Sequence, residues 1–130
     1  MAAPERPVLL KRRDMRLRWN PAQGGPTFGR LRGSYTGIEG TNCLVNILVL
    51  PFGQGSPPIS YDAEHVVFQL QGEVEWSTGG ERLVLEPEDL LFIPANTPYQ
   101  FLNVGRTDAF FLDVAARADT WPATITYLEG

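Results

Sequence analysis

Glycine and proline set the limits on what this chain can fold into. Thirteen glycines and eleven prolines are spread through its 130 residues. They cut the apolar sequence into runs of strand length, too short for a helix with a sustained 3.6-residue period. The runs are Cys43–Leu50, His65–Gln71, Leu90–Ile93, Tyr99–Val104 and Ala109–Ala115. Between them stand Gly53, Gly55, Pro57 and Pro58, then Gly72, Glu86-Pro87-Glu88-Asp89, and the turn Pro94–Pro98. Val74 and Trp76 alternate with Glu73 and Glu75, as Leu17 and Trp19 alternate with Arg16 and Arg18. Period-two alternation is the mark of a half-buried strand. Glu73–Trp76 and Arg82–Leu85 therefore read as the arms of a hairpin around the turn Ser77–Gly80, whose Gly79-Gly80 pair suits a tight reversal. Thr124–Leu128 reads as a short terminal strand, and Asn20–Phe28 as a Pro/Gly-rich loop. The expectation is an all-β sandwich or small barrel.

Length and composition exclude several function classes. The chain is one domain's worth of sequence, long enough for one buried core. No apolar run approaches the ~20 residues of a membrane span. The single cysteine, Cys43, leaves no intrachain disulfide. With no apolar leader at the start, the cytoplasm is the expected compartment. The single histidine, His65, excludes a three-histidine or two-histidine-one-carboxylate metal centre within the chain.

Charge is lopsided. Residues 1–33 carry eight bases against two acids, a net +6, and the remaining 97 residues carry three bases against thirteen acids, a net −10. The acidic body would repel a phosphate backbone. The basic arm is therefore expected to lie on an acidic surface, its own or a partner subunit's, and neither nucleic acid nor membrane is expected as a partner.

The order of turns from Gly53 to Asn103 resembles the cupin family, in its small single-domain members. Gly53 and Gly72 stand at the glycine positions of that family's first motif, with Ile59 and Tyr61 where its two histidines would be and His65 where its glutamate would be. In the second motif Pro94 and Asn103 match, Glu88 and Asn96 take the glycine positions, and Tyr99 takes the histidine position. Phe68–Val74, F-Q-L-Q-G-E-V, resembles the family's strand-turn-strand segment. The resemblance covers roughly residues 43–116. It implies a double-stranded β-helix, the jelly-roll barrel, and a homodimer. It also implies a metal centre at four positions, all of which are changed here. The chain divides into an N-terminal arm with edge strands (1–40), the barrel (41–116) and a C-terminal extension packing on it (117–130).

Strand alternation puts His65, Val67 and Gln69 on one face, Ile59 and Tyr61 on another if that segment is extended, and Tyr99, Phe101 and Asn103 on a third. Facing inward, they would line an amphipathic pocket for a small organic molecule. Its chemistry would be proton transfer. An imidazole exchanges a proton near neutrality, and a phenol, protonated at neutral pH, can donate a hydrogen bond to a developing oxyanion. His65, Tyr61 and Tyr99 are thus the candidate catalytic residues. Ile59, Val67, Gln69 and Phe101 are candidate substrate contacts. A structural histidine and two space-filling tyrosines are the plain alternative.

The reading is a metal-independent lyase, isomerase or cyclase with no cofactor. A non-catalytic small-molecule-binding barrel is the second reading. A metal-dependent barrel using His65 with Tyr61, Tyr99 or a nearby carboxylate is the third.

Overall fold

A computed structural model describes residues 5–9, 11, 13, 17–21, 30–35, 43–116 and 125–127. Among them are eleven strands and no α-helix: β1 (Leu17–Pro21), β2 (Arg30–Tyr35), β3 (Cys43–Leu50), β4 (Ile59–Tyr61), β5 (His65–Gln71), β6 (Val74–Thr78), β7 (Glu81–Leu85), β8 (Leu90–Ile93), β9 (Tyr99–Asn103), β10 (Ala109–Ala116) and β11 (Ile125–Tyr127). They form two antiparallel sheets, a six-stranded one in the order β1-β2-β3-β10-β5-β8 and a five-stranded one in the order β11-β4-β9-β6-β7. From β3 onward the chain passes back and forth between the sheets, and only the β6–β7 hairpin stays in one. This is the jelly-roll barrel, with a core enclosed between two sheet faces. No helix among the described residues is long and apolar enough to cross a membrane.

The short runs became strands because each offers one apolar face. In β5, His65, Val67 and Gln69 are buried while Val66 and Phe68 are half-buried. In β9, Tyr99, Phe101 and Asn103 are buried between exposed Gln100 and Leu102. Leu50, Val67, Trp76, Ile93, Phe101 and Phe111 are the heart of the interior.

The turns keep left-handed backbone where the motif glycines belong, whatever residue is present. Gly53 (φ 73°) and Gly72 (φ 79°) are joined by Glu88 (φ 77°) and Asn96 (φ 61°). Asn tolerates that region, whereas a glutamate there is strained. Reciprocal backbone bonds hold it: Glu88 N donates to Gln69 O at 2.8 Å, and Gln69 N donates to Asp89 O at 2.9 Å. At Gly72 there is also no room, because an added Cβ would lie 3.0 Å from Ala109 Cα.

The structure differs from the sequence expectation in three places. β2 was not foreseen; it joins β1 and β3 by pairing, Ser34 opposite Leu48. Ser77 and Thr78 belong to β6, not to the turn, because Gly79 and Gly80 (φ 60° and 78°) make the whole reversal and pair Thr78 with Glu81. The condition on Ile59 and Tyr61 is met: β4 is extended, pairing with β9 and with β11. Asn20 and Pro21, expected in the Pro/Gly-rich loop at 20–28, belong to β1 because they pair with Leu31 and Arg30 of β2; residues 22–28 lie outside the described residues, as does the C-terminal extension apart from β11.

Candidate functional site

The site is assembled from strands of both sheets. The six-stranded sheet supplies His65 from β5 and Asp113 from β10, and the five-stranded sheet supplies Tyr61 from β4 and Tyr99 from β9. His65 sits opposite Ala115 and Ile93 in register, and Asp113 opposite Val67. Residues 109, 111, 113 and 115 share one face of β10, and Ala109, Phe111 and Ala115 on it are buried. Asp113 is the one carboxylate on that inward row.

His65 is only 2% exposed, and its Nδ1 lies 3.0 Å from Oδ1 of Asp113. A carboxylate accepts, so Nδ1 carries the hydrogen and the lone pair of the neutral ring is on Nε2. That Nε2 is buried with no partner. A buried acceptor left unpaired costs about 1–3 kcal/mol. The imidazole is flanked by two phenol rings, Tyr99 at 5.0 Å and Tyr61 at 5.6 Å between centroids. Burial pushes the Tyr61 hydroxyl up to about 12, with the negative charges of Asp113 and Asp62 adding to the effect. Tyr61 therefore stays a hydrogen-bond donor at any physiological pH.

The other expected contacts are placed as follows. Ile59 is buried and pairs with Tyr99 across β4 and β9. Val67 is fully buried core. Gln69 is also fully buried, and its amide donates to the carbonyls of Gln71 at 2.8 Å and Gly72 at 3.3 Å. A third contact, to Phe110 O at 3.4 Å, reaches the register shift between Phe110 and Phe111. Its amide thus ties the β5–β6 turn to the β10 bulge. Phe101 packs in the interior against Trp76, tilted at 4.7 Å, and Phe111, edge-on at 5.4 Å between ring centroids. Asn103 donates to Leu50 O and Thr107 O and accepts from Gly105 N, which closes the β9–β10 turn.

Two residues were not singled out from the sequence. Asp113 carries the signal of a lone carboxylate inside an apolar strand. Trp76, 5.8 Å from Tyr99 between ring centroids, is buried with its indole N–H unpartnered. Its alternation with glutamates placed it on the inner face and nothing more.

A cavity of about 590 Å³ opens between the β6–β7 hairpin and the β8–β9 turn. Pro58, Ser77, Arg82, Thr97, Tyr99 and Gln100 are among its walls. His65 is not one of them. Tyr99 lines the cavity and also packs against His65, so the phenol lies between the open space and the imidazole.

The donors present do not fit the divalent metal that the motif positions imply. Ile59 offers no donor atom. Tyr61 resists deprotonation, Asp113 is occupied by His65, and one imidazole nitrogen remains. Among the described residues no three His, Cys, Asp or Glu side chains form a group able to hold a metal ion.

Comparison with known proteins agrees with this architecture. Over 52 residues the chain is 33% identical to an uncharacterized HTH-type transcriptional regulator, YobQ, of Bacillus subtilis, a match covering 40% of this chain and 22% of that protein. The structure superposes on a sugar phosphate isomerase from Silicibacter pomeroyi with a TM-score of 0.63 and 22% identity, covering 75% of this chain and 65% of that one. It superposes on the DMSP lyase DddQ from Ruegeria pomeroyi with a TM-score of 0.70 and 23% identity, covering 88% of this chain and 63% of that one. The chain thus spans about a fifth of the regulator and just under two thirds of each of these structures, and at such identities the structural likeness is one of fold. The family model of the cupin domain matches residues 46–115, more than half of the sequence, and on that match the chain belongs to the cupin domain family.

Proposed function

We propose that this cupin is a metal-independent acid–base enzyme of the lyase, isomerase or cyclase type, acting on a small organic molecule with a carbonyl group. The observation that carries the reading is the His65–Asp113 pair, which leaves Nε2 buried and unpartnered between two phenol rings. His65 Nε2 takes a proton from carbon or oxygen of the substrate. Asp113 positions the ring and stabilises the imidazolium that forms. Tyr61 donates a hydrogen bond to the oxyanion that develops on the carbonyl oxygen, and Tyr99 meets the substrate first from the cavity. Returning the proton from His65 to a different atom completes an isomerisation. Returning it to a leaving oxygen completes an elimination. The isomerase and lyase among the structural neighbours are consistent with a barrel that hosts such reactions.

A cytoplasmic location belongs to the same reading, supported by the lone cysteine. A second reading, a small-molecule-binding barrel without turnover, is supported by a cavity that Tyr99 lines and His65 does not. A thermal-shift screen of small carbonyl compounds, followed by long incubation of each stabilising compound with the protein, separates the two. The enzyme converts at least one of them, whereas a binding domain returns all of them unchanged.

A further inference from the structure

Arg82, Ser77 and Gln100 make a polar row across three strands of the five-stranded sheet. The register sets Ser77 of β6 directly opposite Arg82 of β7 and directly opposite Gln100 of β9. Side chains opposed in this way stand ~5 Å apart. The next row, Leu83, Trp76 and Phe101, packs into the core, so Arg82, Ser77 and Gln100 point outward. All three are walls of the cavity of about 590 Å³, and Thr97 of the β8–β9 turn is a further polar wall. That volume lies in the range of ~300–1,000 Å³ typical of small-molecule sites.

Charge and hydrogen bonding indicate the occupant. Residues 43–116 hold two bases, Arg82 and Arg106, against ten acids. Arg106 lies in the β9–β10 turn, away from the cavity walls, so Arg82 is the one cation that an acidic barrel places there among the described residues. The one acid on the walls, Glu81, adjoins Arg82 in β7 and so takes the opposite, inward side of the sheet. Glu75 shares the outer side with Ser77 but is not a wall. Among the described residues, no hydrogen bond or ion pair engages the side chains of Arg82, Ser77, Thr97 or Gln100. Thr78 differs, since its hydroxyl donates to Pro98 O at 3.0 Å. A guanidinium is a planar fork of donors that matches a carboxylate or phosphate, and hydroxyl and amide donors beside it complete the shell of the same oxygens. Pro58 and Pro98 supply apolar walls. Gly79 and Gly80 leave the space open, because a Cβ at either would meet nothing within 4 Å.

We infer that this cavity binds the oxyanion group of a small organic ligand, a carboxylate or a phosphate monoester, through Arg82 with Ser77, Thr97 and Gln100. The body of the ligand lies against Pro58 and Pro98. Binding there needs no proton transfer by His65, which is not one of the walls.

Titration of the full chain with benzoate and with phenyl phosphate, at constant ionic strength and with neutral benzyl alcohol as the control, tests this. Nuclear magnetic resonance signals of Gly79, Gly80 and the Gln100 side-chain amide report on the cavity. At least one anion is expected to shift them saturably, and benzyl alcohol to leave them in place. A response to phenyl phosphate alone assigns the site to phosphate monoesters, and a response to benzoate alone assigns it to carboxylates. Arg82→Gln is expected to weaken binding by at least about tenfold, and Ser77→Ala by about threefold. Both side chains are on the outer side of the sheet, and unchanged signals elsewhere verify that the variants stay folded. His65→Gln is expected to bind as the parent does. Signals unmoved by both anions, or moved as strongly by benzyl alcohol, overturn the inference. So does an Arg82→Gln protein that binds as tightly as the parent, or a His65→Gln protein that no longer binds, since the anion would then sit inside the barrel.

Discussion

Asp113 and His65 meet diagonally across the β5–β10 pair, with Oδ1 3.0 Å from Nδ1, although Asp113 is directly opposite Val67 and His65 opposite Ala115. Diagonal neighbours on one sheet face are within reach of long or polar side chains. The contact therefore follows from the strand register and holds on a rigid element. It leaves Nε2 as the imidazole nitrogen without a hydrogen-bond partner.

Asp113→Asn keeps the size of the side chain but lets an amide N–H face Nδ1. The ring then favours the tautomer with its hydrogen on Nε2, and the base is lost. Turnover should fall by roughly 10²–10⁴-fold with KM little changed. Steady-state kinetics over a pH series checks this. An unchanged kcat would show that Asp113 does not position His65.

Tyr61 is raised from 10.0 to about 12 in the folded state. Its neutral form is the one the fold favours, so its contribution to stability is complete below pH 10. It is lost as pH rises through 12. Thermal melts should show a stability decline across that window, and Tyr61→Phe should flatten it. Tyrosinate absorbance should show one late-titrating residue fewer in the variant than in the parent.

The backbone at Glu88 is left-handed at φ 77° on an exposed turn. Glu88→Gly relieves that conformation, and stability should rise or hold, by up to about 1 kcal/mol. At Gly72 the same φ is combined with an Ala109 contact that leaves no space, so Gly72→Ala should destabilise by about 1–3 kcal/mol. Chemical denaturation of the two variants gives both numbers. The opposite order would contradict the turn geometry.

Removal of divalent metal should leave the melting temperature unchanged, because one free imidazole nitrogen and phenols that stay protonated give a metal little to bind in the folded state. Melts with and without a strong chelator measure it. A drop on chelation, restored by one equivalent of a single metal, would count against the metal-free mechanism.

The barrel was legible in the sequence because its turns are local. Gly53, Gly72, Pro94 and Asn103 kept their spacing, and alternation grouped His65 with Val67 and Gln69 and Tyr99 with Phe101 and Asn103; Tyr61 shared a face with Ile59 only if its segment was extended, as β4 is. Asp113 was not legible as a partner of His65. The two are 48 residues apart, and only the β3-β10-β5-β8 order makes them neighbours. The filling of the interior was equally hidden. Alternation says that Trp76, Phe101 and Phe111 point inward, but not that their rings pack tilted and edge-on at 4.7–5.4 Å, nor that a cavity opens beside Tyr99. Glu88 shows the converse: the local residue argues against a left-handed turn, and the reciprocal backbone bonds of Gln69 with Glu88 and Asp89 hold one.

The central claim is that Nε2 of His65 moves a proton, and the rate ratio between the parent and His65→Gln on a compound that the parent converts tests it most directly. Glutamine keeps the approximate size and hydrogen-bonding capacity and removes proton transfer near neutrality. Product formation should fall by roughly 10²–10⁴-fold while the thermal shift produced by the compound stays close to the parent's. Equal rates from the two proteins, or a parent that binds the compound and never converts it, would contradict the account.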